Sequence, residues 1–133
     1  MKTIVVNGTF DILHRGHLDI LNRAKTLGDF LLVCIDTDER VKELKGNDRP
    51  INAEIDRLLL LANLKSVDMV LTFGSDQELE NILKEYQPEI MVKGSDWKGK
   101  PIVGEQYCKE IVFIERTDGY STTKTIQDII DRG

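Results

Sequence analysis

Short apolar runs alternate with helical patterns along this chain, and that alternation restricts its folds more than any other feature. Residues 4–6 read as a buried strand, followed by a helix over about residues 16–27 with Gly28 as its stop. Residues 30–35 are a second apolar run. Asp36, Thr37 and Asp38 then supply capping groups for a short helix through Leu44. After a polar loop over 45–50, Asn52 is expected to cap a helix running to about Leu64, with Ile55, Leu58, Leu59 and Ala62 as its buried stripe. Residues 67–73 read as a third strand and 77–86 as a helix; Pro88 is a break, and 90–92 and 111–114 are further short strands. A last helix starts near Ser121 and carries Ile126, Ile129 and Ile130. Strands separated by helices imply an α/β fold of the Rossmann-like kind, a parallel sheet with helices on both faces. Ligands of such sheets bind at the carboxyl ends of the strands, near the point where strand order reverses.

At 133 residues and 41% hydrophobic, the chain is expected to form one domain over residues 1–133 with a real core. No apolar run approaches the roughly 18 residues of a membrane span. The first six residues read as a strand rather than a signal peptide. Cys34 and Cys108 have no CxxC spacing, which fits a reduced, cytoplasmic protein with two passive thiols. A formal net charge of −5 argues against a nucleic-acid partner, so any polyanion bound here is small and held locally.

The segments 8–17, 93–97 and 116–123 each follow an expected strand and should converge on one crevice. The first, GTFDILHRGH, contains both of the chain's two histidines, His14 and His17, three residues apart near a helix start. At that spacing the side chains leave one face about one turn apart. A strand end, a turn at Gly8 and a helix start give backbone N–H groups suited to phosphate, and two imidazoles there can donate to phosphate oxygens. That points to chemistry on a nucleoside triphosphate. The blander alternative is a helix-capping turn with two incidental histidines. Asp11, His14 and His17 could form a three-ligand cluster, but nothing nearby in sequence completes a metal site, so none is expected. The first turn lacks GxGxxG, which disfavours a dinucleotide site, and GxxxxGK[ST] is absent.

In the segment RTDGYSTT, Arg116 precedes the turn at Gly119, and Ser121, Thr122 and Thr123 enter a helix. Hydroxyls and helix N-terminal amides donate to phosphate while the guanidinium adds a permanent charge; equally, Ser121 or Thr122 simply caps the last helix. In the third segment, Trp97 is the only tryptophan, able to line a base or sugar pocket, and Asp96 can accept from a ribose or sugar hydroxyl. The alternative for Trp97 is a loop anchor. Lys42, Lys45 and Arg49 make a basic loop, of which Lys45 is the first candidate for an anionic co-substrate. Glu54, Asp56 and Arg57 read as ordinary surface charges.

On these residues the chain resembles the cytidylyltransferase-like superfamily of nucleotidyltransferases. GTFDILHRGH is similar to its (G)xFDxxHxGH signature and RTDGYSTT to its RTxGxSTT signature, and the likeness covers essentially the whole chain. Two subfamilies compete. Leu44-Lys45-Gly46, Arg49-Pro50-Ile51-Asn52, Val67-Asp68 and Val92-Lys93-Gly94-Ser95-Asp96 resemble the adenylyltransferase domain of bifunctional heptose-phosphate enzymes of lipopolysaccharide synthesis. Gly8-Thr9-Phe10-Asp11, Asp96-Trp97-Lys98-Gly99 and Arg116-Thr117 resemble glycerol-3-phosphate cytidylyltransferase. The heptose domains generally carry a cysteine where this chain has Tyr120, and no arginine at Arg116. The reading leans to the adenylyltransferase because that likeness runs through the loop expected to meet the co-substrate; ATP and CTP both stay open.

The resemblance implies a five-stranded parallel sheet, usually in a homodimer. It also implies an enzyme that moves a nucleoside monophosphate from ATP or CTP onto a phosphorylated sugar or polyol, with Mg²⁺ carried by the triphosphate. By carry-over, Thr9 and Phe10 hold the triphosphate through backbone amides. His14 and His17 contact its phosphates, Ser121 and Thr122 grip the outer ones, and Arg116, Thr117 and Gly119 belong to the same cradle. Lys45 meets the acceptor's phosphate, while Asp96 and Trp97 line the nucleoside or sugar side. A non-catalytic nucleotide-binding module is the competing class.

Overall fold

The central strands of this chain are apolar on both faces, and such strands are stable only with both faces covered. In the computed structural model, which describes residues 1–116 and 119–133, five strands form one sheet: β1 (Thr3–Gly8), β2 (Phe30–Asp36), β3 (Met69–Phe73), β4 (Ile90–Gly94) and β5 (Glu110–Ile114). Their order is β3-β2-β1-β4-β5 and all four pairings are parallel. The helices are α1 (Arg15–Lys25), α2 (Asp38–Lys45), α3 (Glu54–Ala62), α4 (Asp76–Tyr86) and α5 (Thr122–Arg132).

Period-two alternation divides the core. Ile4 and Val6 of β1 pack with Leu21 and Ala24 of α1 and Leu61 of α3 on one face. Val5 packs with Leu79 and Leu83 of α4 on the other. The chain builds outward from β1 through β2 to β3, then crosses to β4 on the opposite side. Strand order therefore reverses between β1 and β4, and the crevice opens at their carboxyl ends.

The expected elements are present, with several changes of detail. α1 ends at Lys25, and Gly28 does not stop it by a left-handed turn. A Cβ on Gly28 would lie 2.7 Å from the Lys2 carbonyl oxygen, so glycine is required there by close passage of the chain against β1. β3 begins at Met69: the Val67 N–H closes a turn on the Leu64 carbonyl, and the Asp68 N–H reaches the Leu31 carbonyl just before the ladder starts. The stripe assigned to α3 is rotated: Ile55 and Leu59 are 58% and 52% exposed, Ala62 is exposed, and Arg57 and Leu61 are the buried pair. Leu58 packs at the edge of the core. Asn52 is not the cap of α3; that position is Ala53, which makes no side-chain cap bond. Ile129 and Ile130 of α5 are exposed. Among the described residues, no helix is long and apolar enough to cross a membrane.

Candidate active site

The loop from β1 into α1 is held in an unusual backbone path. Phe10 and Ile12 have positive φ, 52° and 50°, a conformation that costs a bulky residue on the order of 1–3 kcal/mol. The buried carboxylate of Asp11 anchors it by accepting the backbone N–H groups of Ile51 at 2.6 Å and Asn52 at 2.9 Å. Asp11 thus ties the polar loop before α3 against the β1–α1 turn.

His14 is the N-cap of α1. Its Nδ1 accepts the N–H of Gly16 at 3.1 Å, and Nδ1 of His17 accepts the N–H of His14 at 3.2 Å, a reciprocal capping box made of two imidazoles. The rings stack with centroids 3.8 Å apart, and Phe10 packs on His17 at 5.2 Å. The pair therefore caps the helix, as the blander reading has it, and does so through Nδ1 alone. An Nδ1 that accepts a backbone N–H carries no proton, so the proton of each neutral ring sits on Nε2, the end turned away from the backbone. Burial first, then the charges of His14, Lys45 and Arg116, push His17 down to about 4 against the opposing pull of Asp11. Burial lowers His14 in the same direction. At neutral pH both rings are uncharged donors.

These rings open into a cavity of about 490 Å³, also lined by Gly8, Thr9, Phe10, Lys45, Trp97, Arg116, Ser121 and Thr122. The sheet's topology has brought three separated segments together. Arg49 joins them and donates to Thr123 Oγ1 at 3.1 Å. Ser121 Oγ accepts from the N–H of Lys124 as the N-cap of α5, which leaves its own proton free to donate. Thr122 differs from expectation: its hydroxyl donates to the Asp11 carbonyl, so what it offers a ligand is the backbone N–H in the first turn of α5. Asp96 is not among the residues that line the cavity; it accepts from Arg116, which is, at 3.2 Å, an exposed pair worth little to stability. Gly119, with φ of 85°, shapes the turn before Ser121. Thr117 lies outside the described residues.

Sequence reasoning missed a charged scaffold beneath the cavity. Arg57 is not a surface charge: it is fully buried and donates to the carbonyls of Thr9, Asp36 and Asn52 and to the Asp38 carboxylate. The available signal was its spacing with Leu61 and Leu64, which places an arginine on the buried face. Asp36 likewise caps nothing. It accepts from Thr9 Oγ1 at 3.0 Å and Arg40 Nε at 2.9 Å, while Thr37 caps α2. Lys93 holds its Nζ 4.3 Å from the Trp97 ring centroid, inside the cavity wall. Burial pushes the Cys34 thiol up to about 12 and Cys108 to about 11, consistent with passive cysteines.

Fold and site together define a doubly wound α/β protein with an anion-receptive crevice at the carboxyl edge of its sheet. Residues 5–128 match the cytidylyltransferase-like family model, and the chain belongs to that family. It is 46% identical over 128 residues to the bifunctional protein HldE of Helicobacter hepaticus, covering 96% of this chain and 26% of that protein. To the bifunctional protein HldE of Campylobacter fetus subsp. fetus it is 48% identical over 129 residues, covering 96% and 28%. The chain thus spans roughly a quarter of the length of these curated relatives. Among solved structures, a lipopolysaccharide core biosynthesis protein from Thermoplasma volcanium is similar with a TM-score of 0.70 and 30% identity, covering 89% of this chain and 99% of that one. Pantothenate synthetase from Thermus thermophilus shares the fold alone, with a TM-score of 0.58 at 16% identity over 96% of this chain and 64% of that one.

Proposed function

We propose that residues 1–133 act as one nucleotidyltransferase domain that moves an adenylyl group from ATP to a sugar phosphate, a heptose-1-phosphate foremost, and releases pyrophosphate. The observation that carries this is the stacked pair of imidazoles lining a cavity bordered by Lys45, Arg49, Arg116 and the N-terminus of α5, with no partner on either Nε2 among the described residues. Similarity to HldE proteins over nearly the whole chain, and to a lipopolysaccharide core biosynthesis protein, favours the heptose-phosphate reading.

The chemistry follows from the charges. An acceptor phosphomonoester has its second pKa near ~6 and is mostly a dianion at neutral pH, so its oxygen attacks the α-phosphorus without a protein base. One P–O bond forms, the bond to the β-phosphate's bridging oxygen breaks, and no proton moves. The burden is alignment and stabilisation of charge on the phosphoryl oxygens. His14 and His17 donate through Nε2, Ser121 through its hydroxyl, Thr122 through its backbone, and Arg116 and Lys45 add positive charge. Lys45 faces the acceptor's phosphate, and Trp97 with Asp96 borders the nucleoside. Mg²⁺ accompanies the triphosphate. Among the described residues, no group of three or more histidine, cysteine or acidic side chains is gathered to hold a metal.

A second reading, cytidylyl transfer to glycerol-3-phosphate, is favoured by Arg116, which lines the cavity and lies in a segment resembling that enzyme. We place the reaction in the cytoplasm and in a homodimer. The exposed Ile55, Leu59 and Leu60 of α3 support an apolar contact between copies. A matrix of nucleoside triphosphates against heptose-1-phosphate, glycerol-3-phosphate and related monoesters, scored by pyrophosphate, tests the assignment. Release with ATP and a sugar phosphate is expected. Release with CTP and glycerol-3-phosphate favours the second reading, and none from any pair leaves a non-catalytic nucleotide-binding module.

A further inference from the structure

The cavity has a second wall that the histidine chemistry does not use. Val5, Cys34 and Met91 pack on the α4 face of the sheet, so Asn7, Asp36 and Lys93, two residues further along β1, β2 and β4, emerge on that same face. The register Val6↔Val92 sets Asn7 beside Lys93, and all three residues line the cavity. Phe73 and Leu79 give the wall an apolar floor.

The polar groups on this wall are incompletely used. Among the described residues, nothing donates to the buried Asn7 Oδ1, a costly state unless a ligand does so. The Lys93 ammonium lies over the Trp97 ring, and among the described residues no carboxylate pairs with it within 4.0 Å. Burial lowers its proton affinity while Asp36 and Asp96 raise it, so its charge is balanced from two sides rather than paired. Asp36 accepts one bond on each oxygen, from Arg40 and Thr9, and each oxygen retains a lone pair.

The phosphate groups of a nucleotide present only acceptors and leave Asn7 Oδ1 as unpaired as before, so its donor must be a hydroxyl or an amino group. A hydroxyl both donates and accepts. A carbon chain bearing several hydroxyls can therefore donate to Asn7 and Asp36, accept from Lys93, and rest its C–H face on Phe73 and Leu79.

We propose that Asn7, Asp36 and Lys93 form the hydroxyl-reading wall of the acceptor subsite, selecting a phosphomonoester whose skeleton carries several free hydroxyls. This rests on the nucleotidyltransferase reading and assigns its acceptor side. The reacting phosphate stays toward Lys45 and the histidines, and the polyol extends over the α4 face.

The test is calorimetric binding to the full chain, with and without a non-hydrolysable ATP or CTP analogue. The probes are a hexose-1-phosphate, glycerol-3-phosphate and inorganic phosphate. Wild type should bind a hydroxyl-bearing ester more tightly than inorganic phosphate. Asn7→Leu and the near-isosteric Lys93→Met should each weaken that ester by roughly tenfold or more, a hydrogen bond's worth, while the nucleotide analogues and inorganic phosphate stay within about twofold. Lys93→Met carries the test if Asn7→Leu does not fold, as judged by circular dichroism. The proposal is overturned if ester binding is unchanged in the variants, if nucleotide binding falls in the same proportion, or if no ester outbinds inorganic phosphate. Wall-dependent ester binding without pyrophosphate release upholds this wall and sinks the enzymatic reading instead.

Discussion

Nδ1 of His17 accepts the backbone N–H of His14 at 3.2 Å, so the imidazole that faces the cavity also closes the helix on which it stands. Capping and ligand donation occur at opposite ends of one ring, with the Nε2 proton directed by the bond at Nδ1. His14 repeats the arrangement toward Gly16. Both rings thus have tautomer and orientation set by backbone bonds, the preorganisation that the proposed donation to a phosphoryl transition state requires.

His17→Ala should lower kcat by roughly 10²–10³, the range for removal of one transition-state donor, with a much smaller loss of nucleotide affinity. Steady-state turnover alongside calorimetric nucleotide binding measures both. Retained turnover would contradict the role.

Stability should depend on pH through the same residue. In the unfolded chain its imidazole titrates near 6.5, and in the folded protein burial holds it at about 4. Between those values the unfolded state binds more protons, so the contribution is complete above about 6.5 and is lost as pH falls toward about 4. Urea unfolding of wild type and His17→Gln at pH 7 and pH 5 should show wild type losing more on acidification. Parallel losses would mean the ring is not buried neutral.

Removal of the guanidinium at Arg57 should be severe. Arg57→Ala leaves three carbonyls and the Asp38 carboxylate without their donor, and breaking a buried pair costs about 3–5 kcal/mol. Arg57→Lys should recover little, since an ammonium lacks the planar fork that reaches four acceptors. Denaturant midpoints for both variants check this; a loss below ~1 kcal/mol would contradict it.

Gly16→Ala should separate activity from stability. A Cβ there would lie 2.9 Å from the His14 ring and 3.1 Å from Tyr120 Cβ, so the ring or the turn before Ser121 must shift. Misplacement of a catalytic group by about 1 Å can cost on the order of 10²-fold. We expect kcat/KM to fall by roughly tenfold or more with Tm altered by only a few degrees. Unchanged kinetics would show that the ring tolerates displacement.

The histidine pair, the hydroxyl turn and the basic loop were legible because each is a local pattern whose meaning comes from residues a few positions apart. α3 was misread because its helix carries apolar residues on more than one side, and periodicity alone does not say which side meets the sheet. Arg57 was hidden for a related reason: its partners Thr9 and Asp36 lie 48 and 21 residues away.

Local periodicity, glycine breaks and the two signature segments were enough to determine the alternating α/β order and the residue types gathered at the strand ends. The folded molecule alone decided that Asp11 anchors the loop before α3 and that Thr122 turns its hydroxyl to a carbonyl 111 residues away. It also decided that Asn7, Asp36 and Lys93 share one wall. Side chains from separate strands become neighbours only through sheet order and register, and those are set by how the whole chain buries its apolar faces.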